Sequence, residues 1–283
     1  MTETVTEMTT VCWRKAMVTA GLLTFLLSVG MSSACAGQKP AGPVRYPGFG
    51  LGTSRVVVME GDASTGQVVA VNNSDNTYLV QSRIWPAEGA SGFPLARDGD
   101  KKAPVPFLVT PPLKRLDAWS TMQLRILVTP GNHLPADRES LFFFASKAIP
   151  SEAPAAPVRP VDDTGSHARM SMALQSFIKL YYRPAGLKPH AIFDGDVAPK
   201  VSVSRAADNR LRVTNPTPYY LTFGVLTVDG KDVGAQARRA MVPPKGTSDY
   251  PMPAGVKARD GVVTWRLIDE FGLVTDEQHQ SLP

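Results

Sequence analysis

The chain of 283 residues is long enough for two ordinary domains with separate cores. Its 25 prolines and 23 glycines favour many turns and an all-β chain over a helical one. The net charge of +5 is a mild excess without a run of Lys/Arg interleaved with aromatics, which argues against nucleic acid as a partner and suits a basic surface that meets an anionic chain terminus.

The start reads as an export signal over residues 1–36. Arg14 and Lys15 form a basic segment, 16–29 (AMVTAGLLTFLLSV) is apolar but short for a membrane span, and Ala34-Cys35-Ala36 before Gly37 fits a small-x-small cleavage site. The first ten residues, MTETVTEMTT, are unlike such a basic segment and leave Met8 or Met17 as alternative starts. A lipid-modified Cys35 is the rival reading, weakened by Ser32-Ser33-Ala34, which lacks a large aliphatic residue three positions upstream. Cleavage after Ala36 removes both cysteines, Cys12 and Cys35, so the remaining chain has no disulfide and relies on core packing.

Residues 37–47 are Gly/Pro-rich and predict a loose arm. Short apolar or alternating runs follow at 54–59 (SRVVVM), 67–71 (QVVAV), 78–85 (YLVQSRIW), 107–110 (FLVT), 122–128 (MQLRILV) and 141–145 (LFFFA). Turn-forming clusters such as GDASTG, NNSDN and RDGD separate them. The Asn72-Asn73-Ser74 sequon reads as a hairpin turn, and the glycines of 48–54 as a flexible entry to the first strand, since no phosphate-loop Lys or helix follows. With a strand over 170–182 the total is about seven, the count of an immunoglobulin-like sandwich. Residues 150–167 (PSEAPAAPVRPVDDTGSH) are aperiodic and rich in Pro and Ala, and predict a loop.

The segment 170–184, MSMALQSFIKLYYRP, carries most information. Met170, Met172 and Leu174 alternate with Ser171, Ala173 and Gln175, a period-two row that Ser176 and Ile178 extend. Lys179 follows five residues after Leu174. An apolar row ending in a cation suits a strand offered to another protein. After Pro184 a connector, 185–190, separates a second set of runs at 201–204, 210–214, 219–228, 240–242 and 262–268. The boundary is expected near residues 184–189, giving domains 48–184 and 185–283.

This strand resembles the edge strand of the periplasmic pilus-assembly chaperones, the PapD-like family, with its alternating apolar residues, anchoring Lys and K-L-[FY]-Y-R-P ending. Other stretches resemble the family too: FLVTPPLKRL at 107–116, LPADRESL at 134–141, NPTPYY at 215–220 and IDEFG at 268–272. The resemblance implies two immunoglobulin-like β-sandwich domains in an L-shaped (boomerang) arrangement, and a chaperone without a cofactor. It implies that Arg55 and Lys179 bind the C-terminal carboxylate of a pilin subunit, that the row from Met170 to Ile178 is lent to the subunit's open groove, and that Glu139, Arg183 and Glu270 form an interdomain ionic network. Glu270 departs from the family's Asn-Asp, so Asp269 is the alternative. The resemblance also implies that the surface near the Thr110-Pro111 turn, a candidate cis peptide, meets an outer-membrane usher. Self-association through the lent strand is left open. The 150–167 loop is longer than in short-loop members and lacks the cysteines of long-loop ones, which leaves the fibre type open.

Four scattered histidines and no HExxH or CxxC argue against a metal site. The alternative function is a secreted carbohydrate-binding or adhesive β-sandwich. It predicts an exposed aromatic platform, whereas Trp85, Trp119 and Trp265 lie in or beside strand patterns. A β-rich hydrolase predicts a nucleophile or paired carboxylates in a suitable setting, and none is found.

Overall fold

The alternation in the sequence becomes layers of strands. The computed structural model describes residues 48–62, 64, 66–95, 105–131, 133–151, 172–256 and 261–282. The leader, the arm, Met170 and most of the 150–167 loop lie outside the described residues.

The first sandwich contains β1 (Phe49–Leu51), β2 (Arg55–Met59), β3 (Gln67–Asn72), β4 (Thr77–Pro86), β5 (Phe107–Thr110), β6 (Leu113–Leu116), β7 (Thr121–Val128), β8 (Ser140–Ser151) and β9 (Leu174–Arg183). One sheet has the order β1-β3-β7-β5, the other β2-β9-β8-β4-β6. Alternate residues of each strand point into the space between them. Val68, Leu124 and Ile126 of the first sheet meet Val80, Phe144 and Leu180 of the second in one core. Each large apolar side chain buried this way contributes about 1.5–3 kcal/mol.

Among the described residues, nine strands replace the seven expected. The segment read as a flexible entry contains β1, which pairs antiparallel with β3. The stretch after the Thr110-Pro111 turn contains β6, which pairs with β4. The peptide bond between Thr110 and Pro111 is cis. Strand β8 runs to Ser151, so Pro150 belongs to it, opposite Tyr78. The partner on its other side, β9, begins opposite Ala148. Beyond that point β8 has one strand neighbour among the described residues, the edge condition that tolerates Pro. β9 itself begins at Leu174, later than its sequence pattern.

The Asn72 turn is also different from a hairpin. It carries the chain from β3 in one sheet to β4 in the other. Asn72 is buried; its amide nitrogen donates to the carbonyls of Asn76 and Asp117, and its oxygen accepts from the Ser74 amide and hydroxyl. Asn215 repeats the device in the second sandwich, donating to the carbonyls of Tyr219 and Pro243 and accepting from the Thr217 amide and hydroxyl. Such side-chain mimicry of a turn explains why Asn-x-Ser/Thr stands at both places.

The second sandwich contains β10 (Ser202–Ala206), β11 (Arg210–Asn215), β12 (Phe223–Val228), β13 (Lys231–Asp232), β14 (Gly246–Pro251), β15 (Val262–Leu267) and β16 (Gln278–Ser281). Its sheets are ordered β10-β11-β14 and β13-β12-β15-β16. The run at 219–228 becomes strand only from Phe223, because the Asn215 turn holds its first residues; Leu221 keeps a single bridge to Val242. The run at 240–242 forms no strand beyond that bridge. The core of this sandwich, including Leu211, Leu226, Val263 and Leu267, shares no residue with the first. A small third cluster of Leu141, Tyr181 and Met241 joins the two.

Candidate functional site

Parallel pairing of β2 with β9 sets Arg55 directly opposite Lys179. Their neighbours Val56 and Leu180 point into the core, so both cations point outward. Arg55 is only 7% exposed; its Nη1 donates to the carbonyl of Ile268 at 3.0 Å, and its guanidinium carbon lies 5.9 Å from the centre of the Tyr181 ring. Its Nε is buried without a hydrogen-bond partner. Lys179 Nζ donates to the Thr222 hydroxyl at 3.2 Å, and the Tyr181 hydroxyl lies 3.4 Å from the same oxygen. Burial, helped by the nearby Arg55 charge, lowers the Lys179 pKa to about 8. Two cations thus share a desolvated place, and among the described residues no carboxylate is ion-paired with either.

The pair stands at the end of an open ladder. β9 pairs with β8 from Leu174 onward, but with β2 only from Lys179 onward. Among the described residues, Leu174 to Ile178 therefore have a strand neighbour on one side only, a template for another strand. Met172 and Leu174 are exposed, at 70% and 52%, and Ser176 is half-buried. Ile178 is buried in the first sandwich's own core beside Leu180 and Tyr182. The predicted row thus divides: its first described members face solvent and its last is already packed. Met170 lies outside the described residues.

Glu139, Arg183 and Glu270 meet. Arg183, at the end of β9, is 1% exposed. Its Nε donates to Glu139 at 2.5 Å and its Nη2 to Glu270 at 2.8 Å, while its Nη1 donates to the carbonyls of Lys188 and Pro189. Burial works against this charge, but the two carboxylates outweigh it and raise the Arg183 pKa. The second oxygen of Glu139 accepts from the Tyr220 amide, and Glu270 accepts from the amides of Ile192 and Phe193. Ion pairs and backbone are thus tied across the two sandwiches. Asp269 plays a different part. It accepts from the amides of Phe271 and Leu273 and holds the turn that presents Glu270.

Sequence reasoning missed Thr222 and Tyr181 beside Lys179, and the contact of Trp85 with Phe177, whose rings pack edge to face at 5.5 Å. Thr222 lies 43 residues from Lys179, and no periodicity links them. Of the three tryptophans weighed, Trp265 is buried, Trp85 is half-buried and Trp119 is 65% exposed, with its indole nitrogen donating to Asp75. Trp119 stands as a lone exposed ring on its turn.

Comparison with known proteins matches residues 48–188 to the pili and flagellar-assembly chaperone family, PapD N-terminal domain, and residues 196–279 to the pili assembly chaperone PapD, C-terminal domain. The chaperone protein AfaB of Escherichia coli is 37% identical over 262 residues, spanning 87% of this chain and 97% of that protein. The chaperone protein FimC of Escherichia coli K12 is 35% identical over 257 residues, covering 90% and 89%. Among solved structures, the Salmonella enterica SafB chaperone in complex with the SafA pilin is 31% identical with a TM-score of 0.64, covering 85% of this chain and 99% of that one.

Proposed function

Because the chain belongs to the pilus-assembly chaperone family of PapD, we propose that it captures newly exported pilin subunits in the periplasm, completes their fold with β9 and passes them to an outer-membrane usher. Residues 1–36 serve as the cleaved export signal, and 48–184 and 185–283 as the two working domains. Arg55 and Lys179 bind the subunit's terminal carboxylate by charge-assisted hydrogen bonds, which Arg makes bidentately. Met170, Met172 and Leu174 fill the subunit's groove, while the open side of β9 supplies the ladder. Ile178 keeps its place in the chaperone's own core, so the lent row ends at Ser176. Glu139, Arg183 and Glu270 hold the domains at the angle the cleft needs, and the Thr110-Pro111 turn lies on the usher-facing side.

One observation carries this reading: a largely desolvated cation pair, with no ion-paired carboxylate among the described residues, stands where an exposed apolar strand edge ends. A strand that terminates there relieves the unpaired charge and the open ladder together. The test is periplasmic co-expression of the tagged chain with a pilin-like subunit encoded beside it. Wild type is expected to stabilise and co-purify the subunit, and Lys179→Ala to lose it. Equal recovery with both would remove Lys179 from the site.

A further inference from the structure

The loop after β4, residues 87–95, reaches the second sandwich. It is closed on itself: Ala87 bridges Pro94, the Glu88 amide donates to the Phe93 carbonyl at 3.0 Å, and the Leu95 amide donates to the Pro86 carbonyl at 2.9 Å. A loop tied at its base carries its tip as a unit. That tip lies against 239–241. The Met241 amide donates to the Ala90 carbonyl at 2.7 Å, a backbone hydrogen bond between the two sandwiches. Gly92 abuts the peptide between Arg239 and Ala240. A Cβ there would overlap the Arg239 carbonyl oxygen, and its φ of +83° suits glycine alone among the small residues. The Arg239 guanidinium carbon stands 5.6 Å from the centre of the Phe93 ring. Met241 is fully buried in a cluster with Leu141 and Tyr181, with Ala87 and Ala90 packed against it.

Other ties between the sandwiches gather elsewhere. Arg183 with its two carboxylates, the Glu139 amide on the Pro218 carbonyl, and the Lys245–Asp137 pair stand where β8 begins and β9 ends; Arg55 meets Ile268 at the start of β2. In the order β2-β9-β8-β4 the 87–95 loop leaves from the far strand, about 10 Å from β9. Ties on one side leave the second sandwich able to rock about them, and a tie across that distance removes the freedom. The grip passes straight to the cation pair. Val242, next to Met241, exchanges both backbone hydrogen bonds with Leu221, at 3.0 and 3.1 Å. Leu221 precedes Thr222, whose hydroxyl receives Lys179 Nζ at 3.2 Å and lies 3.4 Å from the Tyr181 hydroxyl. Both distances are near the outer limit of a hydrogen bond, so a shift of about 1 Å in this segment breaks them.

We propose that the 87–95 loop is an interdomain clasp that positions the carboxylate site: by holding 239–242 it keeps Thr222 against Lys179 and fixes where the Lys179 ammonium stands beside Arg55. The proposal rests on the reading of Arg55 and Lys179 as the carboxylate anchor and adds the residues that set its geometry. Ala90, Gly92 and Met241 are positioning residues, acting through Leu221 and Thr222. The open edge of β9 is independent of the clasp, because β9 and its neighbour β8 both belong to the first sandwich. Loosening the clasp therefore removes the preference for a chain that ends in a carboxylate and leaves strand pairing intact.

The experiment compares Gly92→Ala with Gly89→Ala. Both glycines have positive φ in the same loop, but a Cβ at Gly89 meets open space. Binding of a short alternating apolar peptide is measured by fluorescence anisotropy in two forms, one with a free C-terminal carboxylate and one amidated. Wild type and Gly89→Ala should prefer the free acid by about tenfold, the worth of one charge-assisted hydrogen bond. Gly92→Ala should bind both forms equally, and the amide as tightly as wild type does. Spin labels on Thr121→Cys and Ser204→Cys, one on each sandwich, should show the distance between them broadening with Gly92→Ala and not with Gly89→Ala. A Gly92→Ala protein that keeps the wild-type preference, weakens both forms alike or leaves the distance distribution unchanged overturns the proposal. So does an equal loss of preference in Gly89→Ala. Failure of the carboxylate reading looks different: wild type itself then binds acid and amide equally, and the positioning role falls with it. If neither form binds wild type, both readings fail.

Discussion

The proposed anchoring role of Lys179 makes subunit capture depend on pH in a calculable way. In the free protein its pKa is about 8, against an ordinary 10.5, because burial and Arg55 disfavour its charge. A carboxylate arriving beside it favours the charged form and raises the pKa again. Only the protonated anchor is competent, so apparent affinity scales with the protonated fraction. Near pH 7 most Lys179 is charged; near pH 9 about one in ten is, so affinity should fall about tenfold, or about 1.4 kcal/mol. Binding above pH 8 should also take up nearly one proton per complex. Isothermal titration calorimetry of an alternating peptide with a free carboxylate, in buffers of different ionisation enthalpy, reads both quantities. Lys179→Arg keeps the charge and should flatten the profile, since Arg does not titrate in this range. A wild-type affinity that is constant from about pH 7 to pH 9 without proton uptake, or an equal fall in Lys179→Arg, would refute the reasoning.

The same shift predicts that the free protein is strained by its anchor. The folded pKa lies below the unfolded one, so stability should rise with pH between about 8 and 10.5 and be lowest below that window. The gap sets an upper bound of about 3 kcal/mol, reduced by solvent screening to about 1–2 kcal/mol. Lys179→Met should therefore raise the denaturation midpoint at neutral pH while abolishing capture; a lower midpoint would count against a strained anchor. Glu139→Ala leaves a buried Arg183 with one partner fewer and should cost about 3–5 kcal/mol in urea denaturation. Asp269→Ala, which loses only turn hydrogen bonds, should cost about 1–2 kcal/mol, and equal losses for the two would contradict their different roles. Gly92 has φ +83°, and a Cβ there would stand 2.0 Å from the Arg239 carbonyl oxygen, whereas Gly89 has φ +52° and open space. Gly92→Ala should lower the melting temperature clearly more than Gly89→Ala, and equal shifts would show that the 87–93 loop yields.

The strands that the sequence did not reveal share one property. β1, β6, β13, β14 and β16 are all sheet edges. Edge strands are short and polar and bury little, so LKRL, KD and QHQS have no period to read. Central strands such as β4 and β7 bury alternate residues against two neighbours and announce themselves. The site divides in the same way. Arg55, Lys179, Glu139, Arg183 and Glu270 could be named because they stand in motifs that resemble those of a family. Thr222 could not, because it reaches Lys179 only where the second sandwich packs against the first, 43 residues along the chain. The fate of Ile178 was hidden for a related reason. Period two tells which side a residue takes, but not where along β9 that side passes from solvent into the core.

That passage along β9 gives the proposed site its selectivity. Among the described residues, three separate costs stand close together: a desolvated cation pair, a ladder edge without a strand partner, and exposed Met172 and Leu174. A ligand backbone relieves the edge at about 0.5–1.5 kcal/mol per hydrogen bond. Docked apolar side chains add about 1.5–3 kcal/mol each when fully buried. A carboxylate relieves the cations only if the chain ends opposite Lys179. An internal strand of a folded protein would meet the other two demands and then run on into the β2 pairing, where Val56 to Met59 already occupy the edge against Leu180 to Arg183. On the proposed reading β2 is therefore a stop that sets the register: a strand finishes where β2 begins, and its last residue is the one that carries the charge.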